Sequence, residues 1–127
     1  MHVRPANADE VPAVMNVLDG AVLSIAVATV RAGIEDGGTL VAVSGDDSAD
    51  GRILGALVLD GSHIEAVAVR RRRRGQGIGT TLIEAALDRR DRVTAEFDAD
   101  VRPFYEALGF DVESLGNGGD RCRGIRE

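Results

Sequence analysis

The 127-residue sequence contains no lysine and no tryptophan, and it has one cysteine, Cys122. All 15 basic residues are arginine, whereas a chain of this length would ordinarily contain roughly eight lysines. This absence excludes chemistry that needs a lysine, namely the phosphate-binding lysine of a P-loop, a Schiff base and pyridoxal phosphate. The single cysteine excludes an internal disulfide and a cysteine-rich zinc site, and we predict no metal.

Long apolar runs are missing as well. No segment approaches the about 18 apolar residues that span a bilayer, and no apolar segment follows a basic start at the amino end. We therefore expect a soluble, cytoplasmic protein that does not act at a membrane. A hydrophobic content of 44% in 127 residues is enough for one core, so we predict a single domain over residues 1–127.

The chain carries 21 acidic residues and a formal net charge of -6. An acid excess without lysine is typical of proteins from salt-accumulating halophiles, whose acidic surfaces stay soluble when salt screens their self-repulsion. The composition therefore predicts a protein that is stabilised by salt.

Hydrophobic periodicity and turn signals predict strands interrupted by helices. The predicted strands are Val3–Arg4, Thr39–Ser44, Arg52–Leu59, Ser62–Val69, Val93–Asp98, Phe110–Leu115 and Arg121–Ile125. The predicted helices are one capped by Asp9, one over Ala21–Asp36, one from Ile78 to Arg89, and a short one capped by Asp100 and ended by Gly109. A two-residue turn at Asp60 and Gly61 indicates an antiparallel hairpin. We predict an α/β (α+β) fold with a mixed, mostly antiparallel central sheet flanked by helices.

Five consecutive arginines precede three glycines in "VAVRRRRRGQGIGTTL", residues Val67–Leu82. Glycines between a strand and a helix let backbone N–H groups and the positive helix end receive a phosphate. A dinucleotide fingerprint would need a third glycine where Thr80 stands. A nucleic-acid partner is disfavoured, because the chain is acidic and has only 3% aromatic residues for base stacking.

The pattern R-x-x-G-x-G at Arg74–Gly79, together with "PFYEALGF" at Pro103–Phe110, resembles the GNAT acyltransferase superfamily. The resemblance implies a single GNAT-like domain that uses acetyl-CoA, whose pyrophosphate is held by backbone amides of the glycine loop. The residues implied in binding CoA are Val67, Ala68, Val69, Arg74, Gly75, Gln76, Gly77, Ile78, Gly79 and Thr80. Arginines beside the loop suit the remaining phosphate charge, or form a solvated turn.

The same resemblance implies candidates for proton transfer. Tyr105 stands where family members carry a tyrosine that protonates the departing CoA thiolate; the alternative role is packing against its neighbour Phe104. Glu65, on the strand before the loop, is the implied general base, or else an exposed carboxylate. His63 is an alternative base, because its ordinary pKa near 6.5 suits the task and strand alternation places it on the same side as Glu65. Further candidates on the next strand are Glu96 and Asp98.

The resemblance implies an N-acetyltransferase that moves an acetyl group from acetyl-CoA to a primary amine by direct attack. The alternative is a catalytically silent CoA-binding or regulatory module of the same fold. The acceptor would be a small-molecule or peptide amine, and a homodimer is left open. The resemblance is weakest over Ala21–Asp36, where family members form much of the acceptor site, so the acceptor itself is not predicted.

Overall fold

The computed structural model describes residues 2–20, 26–44, 53–70, 72, 74–116 and 120–127. The strands are β1 (His2–Pro5), β2 (Thr39–Val43), β3 (Ile53–Asp60), β4 (His63–Val69), β5 (Val93–Asp98), β6 (Asp111–Ser114) and β7 (Arg121–Arg126). The helices are α1 (Val11–Gly20), α2 (Val27–Glu35), α3 (Ile78–Arg89) and α4 (Arg102–Ala107), with short 3-10 turns at Ala8–Glu10 and Ala99–Val101. The predicted order of strands and helices is confirmed.

The strands form one sheet in the order β1-β2-β3-β4-β5-β7-β6. Every neighbouring pair is antiparallel except β4 and β5, which are parallel. The mixed, mostly antiparallel sheet is therefore confirmed. The β3–β4 hairpin turns one residue later than predicted, because Asp60 pairs with His63 and the turn consists of Gly61 and Ser62.

Apolar side chains cover both faces of the sheet. On one face, which we call the α3–α4 face, Leu57, Leu82 and Phe97 belong to a buried cluster that includes residues of both helices. On the opposite, α1–α2 face, a second cluster joins Val14 and Val30 of those helices to the sheet. Burial on both faces explains why the central strands carry almost continuous apolar runs.

Two predicted helix caps differ from the structure. The first helical segment begins after Asn7 rather than at Asp9, because the Glu10 carboxylate accepts a hydrogen bond from the Asn7 N–H at 2.8 Å and also binds Arg4 at 2.7 Å. The pKa of Glu10 is lowered, chiefly by its hydrogen bond to Arg4. Asp100 lies inside a 3-10 turn rather than at a cap.

Several predicted features lie wholly or partly outside the described residues. The helix predicted over Ala21–Asp36 is confirmed at Val27–Glu35, whereas residues 21–25 are not described. Residues 45–52, which include the predicted strand start at Arg52, residues 71 and 73 of the arginine run, and residues 117–119 between the last two predicted strands are also not described.

Candidate active site

The sheet opens at its one parallel junction. β4 and β5 pair only through His63 with Thr94 and Ile64 with Ala95. Beyond these two pairs the strands diverge: β5 continues along β7 as far as Asp98, while β4 continues along β3 as far as Val69. The edge of β4 that faces β5 therefore has no strand partner over Glu65–Val69, and its backbone groups border a gap.

A cavity of about 320 Å³ fills this gap. Its lining combines apolar and aromatic side chains with carboxylates and one guanidinium: Ile64, Glu65, Ala66, Val67, Ala95, Glu96, Phe97, Asp98, Val101, Phe104, Tyr105 and Arg121. A second cavity, of about 380 Å³, lies between α2 and the end of β3. Its lining includes neither Tyr105 nor Glu65, both of which line the cavity in the gap, so we place the candidate active site in the gap.

The gap connects the two faces of the sheet. Phe97 is buried in the cluster on the α3–α4 face together with Tyr105. Alternation along β5 turns the exposed Glu96 and Asp98 toward the opposite face. The aromatic side chains and the carboxylates thus reach one cavity from opposite faces, which would allow two ligands to meet there from different directions.

A register shift in β4 lies at Glu65. Val58 pairs with Ala66 and Leu59 with Ile64, so Glu65 has no Cα partner in β3. Such a bulge interrupts alternation, and Ile64 and Ala66 accordingly belong to clusters on opposite faces. Strand alternation therefore does not decide whether His63 and Glu65 lie on the same side of the sheet.

The structure brings Glu65, but not His63, to the cavity. Glu65 is exposed and lines it. His63 is not among the lining residues, and its Nδ1 lies 2.8 Å from the Thr94 Oγ1 in a hydrogen bond between β4 and β5. Glu96 and Asp98, the further candidates on β5, do line the cavity.

Tyr105 is held in an aromatic cluster at the inner wall of the cavity. Its ring stacks on Phe97 at a centroid distance of 4.0 Å and meets Phe104 and Phe110 edge-on, each at 5.2 Å. The residue is 4% exposed, and burial raises the pKa of its phenol to about 12. The Tyr105 hydroxyl forms no hydrogen bond with any described residue. Every fully buried side-chain oxygen of the described residues does have a hydrogen-bond partner, so this hydroxyl is not fully buried. The hydroxyl therefore opens onto the cavity.

The glycine loop leads from the end of β4 into α3. Gly75 and Gly77 both have φ +80°, a left-handed conformation that favours glycine. Gly77 is the N-cap of α3 and supplies no side-chain cap, so the first N–H groups of the helix have no intrahelical acceptor. Uncapped N–H groups at a helix N-terminus form a site for an anion. The residues named for this role, Arg74, Gly75, Gln76, Gly77, Ile78, Gly79 and Thr80, all lie on this loop and first turn.

Gly77 and Gly79 differ in what a side chain would meet. A Cβ on Gly77 would point into open space at the helix N-terminus. A Cβ on Gly79 would lie 3.7 Å from Phe104 and 3.8 Å from Val69, which is ordinary packing inside the protein. Only at Gly77 would a side chain extend toward the space in front of the helix N-terminus.

Two arginines of the run contribute to the fold around the loop. Arg70 donates from Nε to the Ile53 carbonyl at 2.6 Å and from a guanidinium nitrogen to the Asn16 Oδ1 at 3.0 Å, which ties the end of β4 to β3 and α1. Arg74 is exposed and donates to the Val69 carbonyl at 3.3 Å. Arg70 therefore anchors the loop, and Arg74 remains at the surface beside the uncapped N–H groups of α3.

The cavity wall includes residues that sequence reasoning did not single out, among them Phe97, Val101 and Arg121. The Arg121 guanidinium lies 3.4 Å from the Asp98 carboxylate, with which it is paired across β5 and β7. These two residues are 23 positions apart, so only knowledge of the strand pairing could have joined them. Within the described ranges no helix is long and apolar enough to cross a membrane, and no cluster of three potential metal ligands occurs there.

The site thus combines a helix N-terminus capped by glycine with a gap between two parallel strands. The chain belongs to the GNAT acetyltransferase family: the family model described as "Acetyltransferase (GNAT) domain" matches residues 19–120. No curated protein matches the chain.

Solved structures share the fold over nearly the whole chain. A chain of the NatC complex bound to Gag peptide and CoA is 21% identical, with 98% of each chain covered and a TM-score of 0.77. Naa50 from Arabidopsis thaliana, in complex with the bisubstrate analogue CoA-Ac-MVNAL, is 16% identical over 98% of this chain and 97% of its own, with a TM-score of 0.78. Ard1 from Thermoplasma volcanium is 18% identical over 98% of this chain and 95% of its own, with a TM-score of 0.74.

Proposed function

We propose that the protein transfers an acetyl group from acetyl-CoA to a primary amine by direct attack of the amine on the thioester. The observation that carries this proposal is the gap between β4 and β5, where Tyr105 and the carboxylates of Glu65 and Glu96 line one cavity. A thioester entering from the α3–α4 face and an amine entering from the opposite face would meet between these groups.

The protein's own backbone supplies the sites for CoA. N–H groups of the loop from Arg74 to Thr80 donate hydrogen bonds to the pyrophosphate, because the helix N-terminus is uncapped and positive. The edge of β4 at Val67, Ala68 and Val69 has no strand partner, so its backbone groups are available to hold the pantetheine arm and to polarise the thioester carbonyl.

Glu65 acts as the general base. An alkylammonium ion has no free electron pair, so the Glu65 carboxylate first accepts one proton from it, directly or through water. The neutral nitrogen then attacks the carbonyl carbon, the C–N bond forms and the C–S bond breaks. A second proton ends on the CoA thiol, the third stays on the amide nitrogen, and the proton taken by Glu65 passes to solvent.

Tyr105 stabilises the departing thiolate. With a pKa of about 12 its phenol is protonated throughout the neutral range and always offers an O–H donor. Because an ordinary thiol has a pKa of about 8.5, complete proton transfer from so weak an acid is unfavourable. Tyr105 therefore donates a hydrogen bond to the sulfur as its charge develops, and the second proton of the amine nitrogen reaches the sulfur by way of solvent.

The acceptor test must include peptides as well as small amines. The NatC complex was solved with a Gag peptide and Naa50 with a CoA-Ac-MVNAL analogue, so structural relatives of this chain bind peptide acceptors. Purified protein is mixed with acetyl-CoA and pooled small amines or peptides in high salt, and thiol release is measured together with acetylated product by mass spectrometry. CoA binding without turnover on any pool would refute the proposal and support the silent CoA-binding module.

A further inference from the structure

The cavity in the gap carries more negative charge than the reaction uses. Its lining contains the carboxylates of Glu65, Glu96 and Asp98 and the guanidinium of Arg121. Arg121 lies 3.4 Å from Asp98, and this pair is close to neutral. Glu65 and Glu96 form no ion pair with any described residue. Arg123 is paired with Glu96 in the β5–β7 register, but it makes no ion pair with it and does not line the cavity.

The second observation is the Tyr105 hydroxyl. Tyr105 is 4% exposed, has no hydrogen-bond partner among the described residues and lines the same cavity. Because no buried side-chain oxygen of the described residues lacks a partner, this hydroxyl is open to the cavity, where its hydrogen bond is available to a ligand atom. The carboxylates therefore line a space that a ligand can enter and in which a donor group awaits a partner.

One carboxylate is sufficient for the chemistry. If Glu65 serves the reacting nitrogen, Glu96 on the neighbouring strand remains as a second negative charge facing the same space. Two like charges lining one cavity repel each other, and a second cation between them removes that cost. Apolar side chains lie beside them: Val101 is 41% exposed and lines the cavity with Phe104. Such a wall suits the methylene chain that would join two charged nitrogens.

We propose that the acceptor is an amine carrying a second cationic group, which Glu96 binds while Glu65 deprotonates the reacting nitrogen. This proposal rests on the proposed acetyl transfer. The second cation belongs to a small α,ω-diamine or to a basic side chain near the amino end of a peptide, and the acceptor panel distinguishes these sources.

The test compares acceptors that differ only in the second charge. For the wild-type protein, kcat/KM for diaminobutane is expected to exceed that for butylamine by about tenfold or more, as for a charge-assisted hydrogen bond. A peptide with lysine at its second position is compared with the same peptide carrying norleucine there. Whichever of the two pairs shows the larger ratio of kcat/KM values identifies whether the second cation belongs to a small diamine or to a peptide side chain. Either preference should shrink as potassium chloride rises, because exposed charges are screened by salt.

Glu96→Gln provides the matched perturbation. It is expected to abolish the preference for the doubly charged acceptor, because kcat/KM should fall more for diaminobutane than for butylamine. Glu113→Gln is the control: it removes the same charge from an exposed position on β6 that does not line the cavity, and it should retain the preference.

The outcomes separate this proposal from the acetyl transfer itself. Equal kcat/KM for singly and doubly charged acceptors, or an equal loss for both in Glu96→Gln, would overturn the dication site and leave acetyl transfer intact. Calorimetric titration of diaminobutane into the CoA-bound protein covers the case without turnover. If the wild-type protein binds diaminobutane without turnover and Glu96→Gln abolishes that binding, the dication site is supported and the proposed acetyl transfer is refuted. If the protein neither binds nor acetylates diaminobutane, both proposals are overturned.

Discussion

Gly77→Glu should abolish CoA binding while the protein remains folded. Gly77 stands at the N-cap of α3 with φ +80°, and a Cβ there would meet nothing within 4 Å. A glutamate side chain would therefore enter the open space in front of the uncapped N–H groups, where the pyrophosphate is proposed to bind.

The expected magnitude follows from the repulsion between the new carboxylate and the pyrophosphate. Two unit charges 4 Å apart repel by about 1 kcal/mol in bulk water and by about 4 kcal/mol at the effective dielectric constant of 20 typical of a protein surface. Because each 1.4 kcal/mol changes an equilibrium constant tenfold, the Kd for CoA should rise by about fivefold to a thousandfold. The pyrophosphate carries more than one charge, which favours the upper part of this range.

Gly61→Glu is the matched control. Gly61 also has a left-handed φ, +61°, and open space around its Cα, so the same residue change imposes a similar backbone cost of roughly 1–2 kcal/mol. It lies at the opposite end of the seven-residue strand β4, roughly 20 Å away at the rise of an extended strand. This exceeds the Debye length of about 10 Å at 0.1 M salt, so CoA binding should not change.

Isothermal titration of CoA into both variants measures the difference, and thermal melts establish that each is folded. Gly77→Asn adds a side chain without charge at a position where asparagine tolerates a left-handed backbone, and it should weaken binding much less than glutamate. If Gly77→Glu binds CoA as tightly as Gly61→Glu, the assignment of the pyrophosphate to this helix N-terminus is wrong.

Four further predictions follow from the same structure. Glu65→Gln should lower turnover by about a hundredfold or more, with the loss shrinking at alkaline pH where the amine is already neutral; a pH-independent loss would contradict a role as base. Tyr105→Phe should lower turnover with little change in CoA affinity. The folded-state pKa of Tyr105 is raised to about 12 from 10.0, so the wild-type protein should lose stability as pH rises from 10 to 12. In alkaline melts the Tyr105→Phe variant should lose less stability over that range. Glu10→Gln should reduce the free energy of unfolding by about 1 kcal/mol; because the pKa of Glu10 is lowered below 4.5 by Arg4, that contribution is present above pH 4.5 and should vanish in acid, so wild type and variant should converge there. Finally, the melting temperature should rise from low to molar potassium chloride, and a flat or falling curve would argue against a salt-adapted protein.

Local signals in the sequence were sufficient for the order of the elements and for the glycine loop before α3. Turn residues such as Gly61, the apolar stripe of α3 and the left-handed glycine at 109 act over a few residues, so their effects can be predicted without knowing the fold. The same is true of Gly75 and Gly77, whose loop conformation depends on glycine itself. The aromatic surroundings of Tyr105 were partly predicted, because Phe104 and Phe110 lie within the same short segment.

The arrangement of side chains around the cavity was decided by contacts between distant segments. The shift that leaves Glu65 without a Cα partner arises from pairing with β3, and the cavity is lined by Glu65 but not by His63, which sequence periodicity had put together. The gap exists because the parallel pairing of β4 with β5 ends after Ile64 while β5 continues along β7. Strand register depends on which strands become neighbours in the folded sheet, and no property of residues 63–69 alone contains that information.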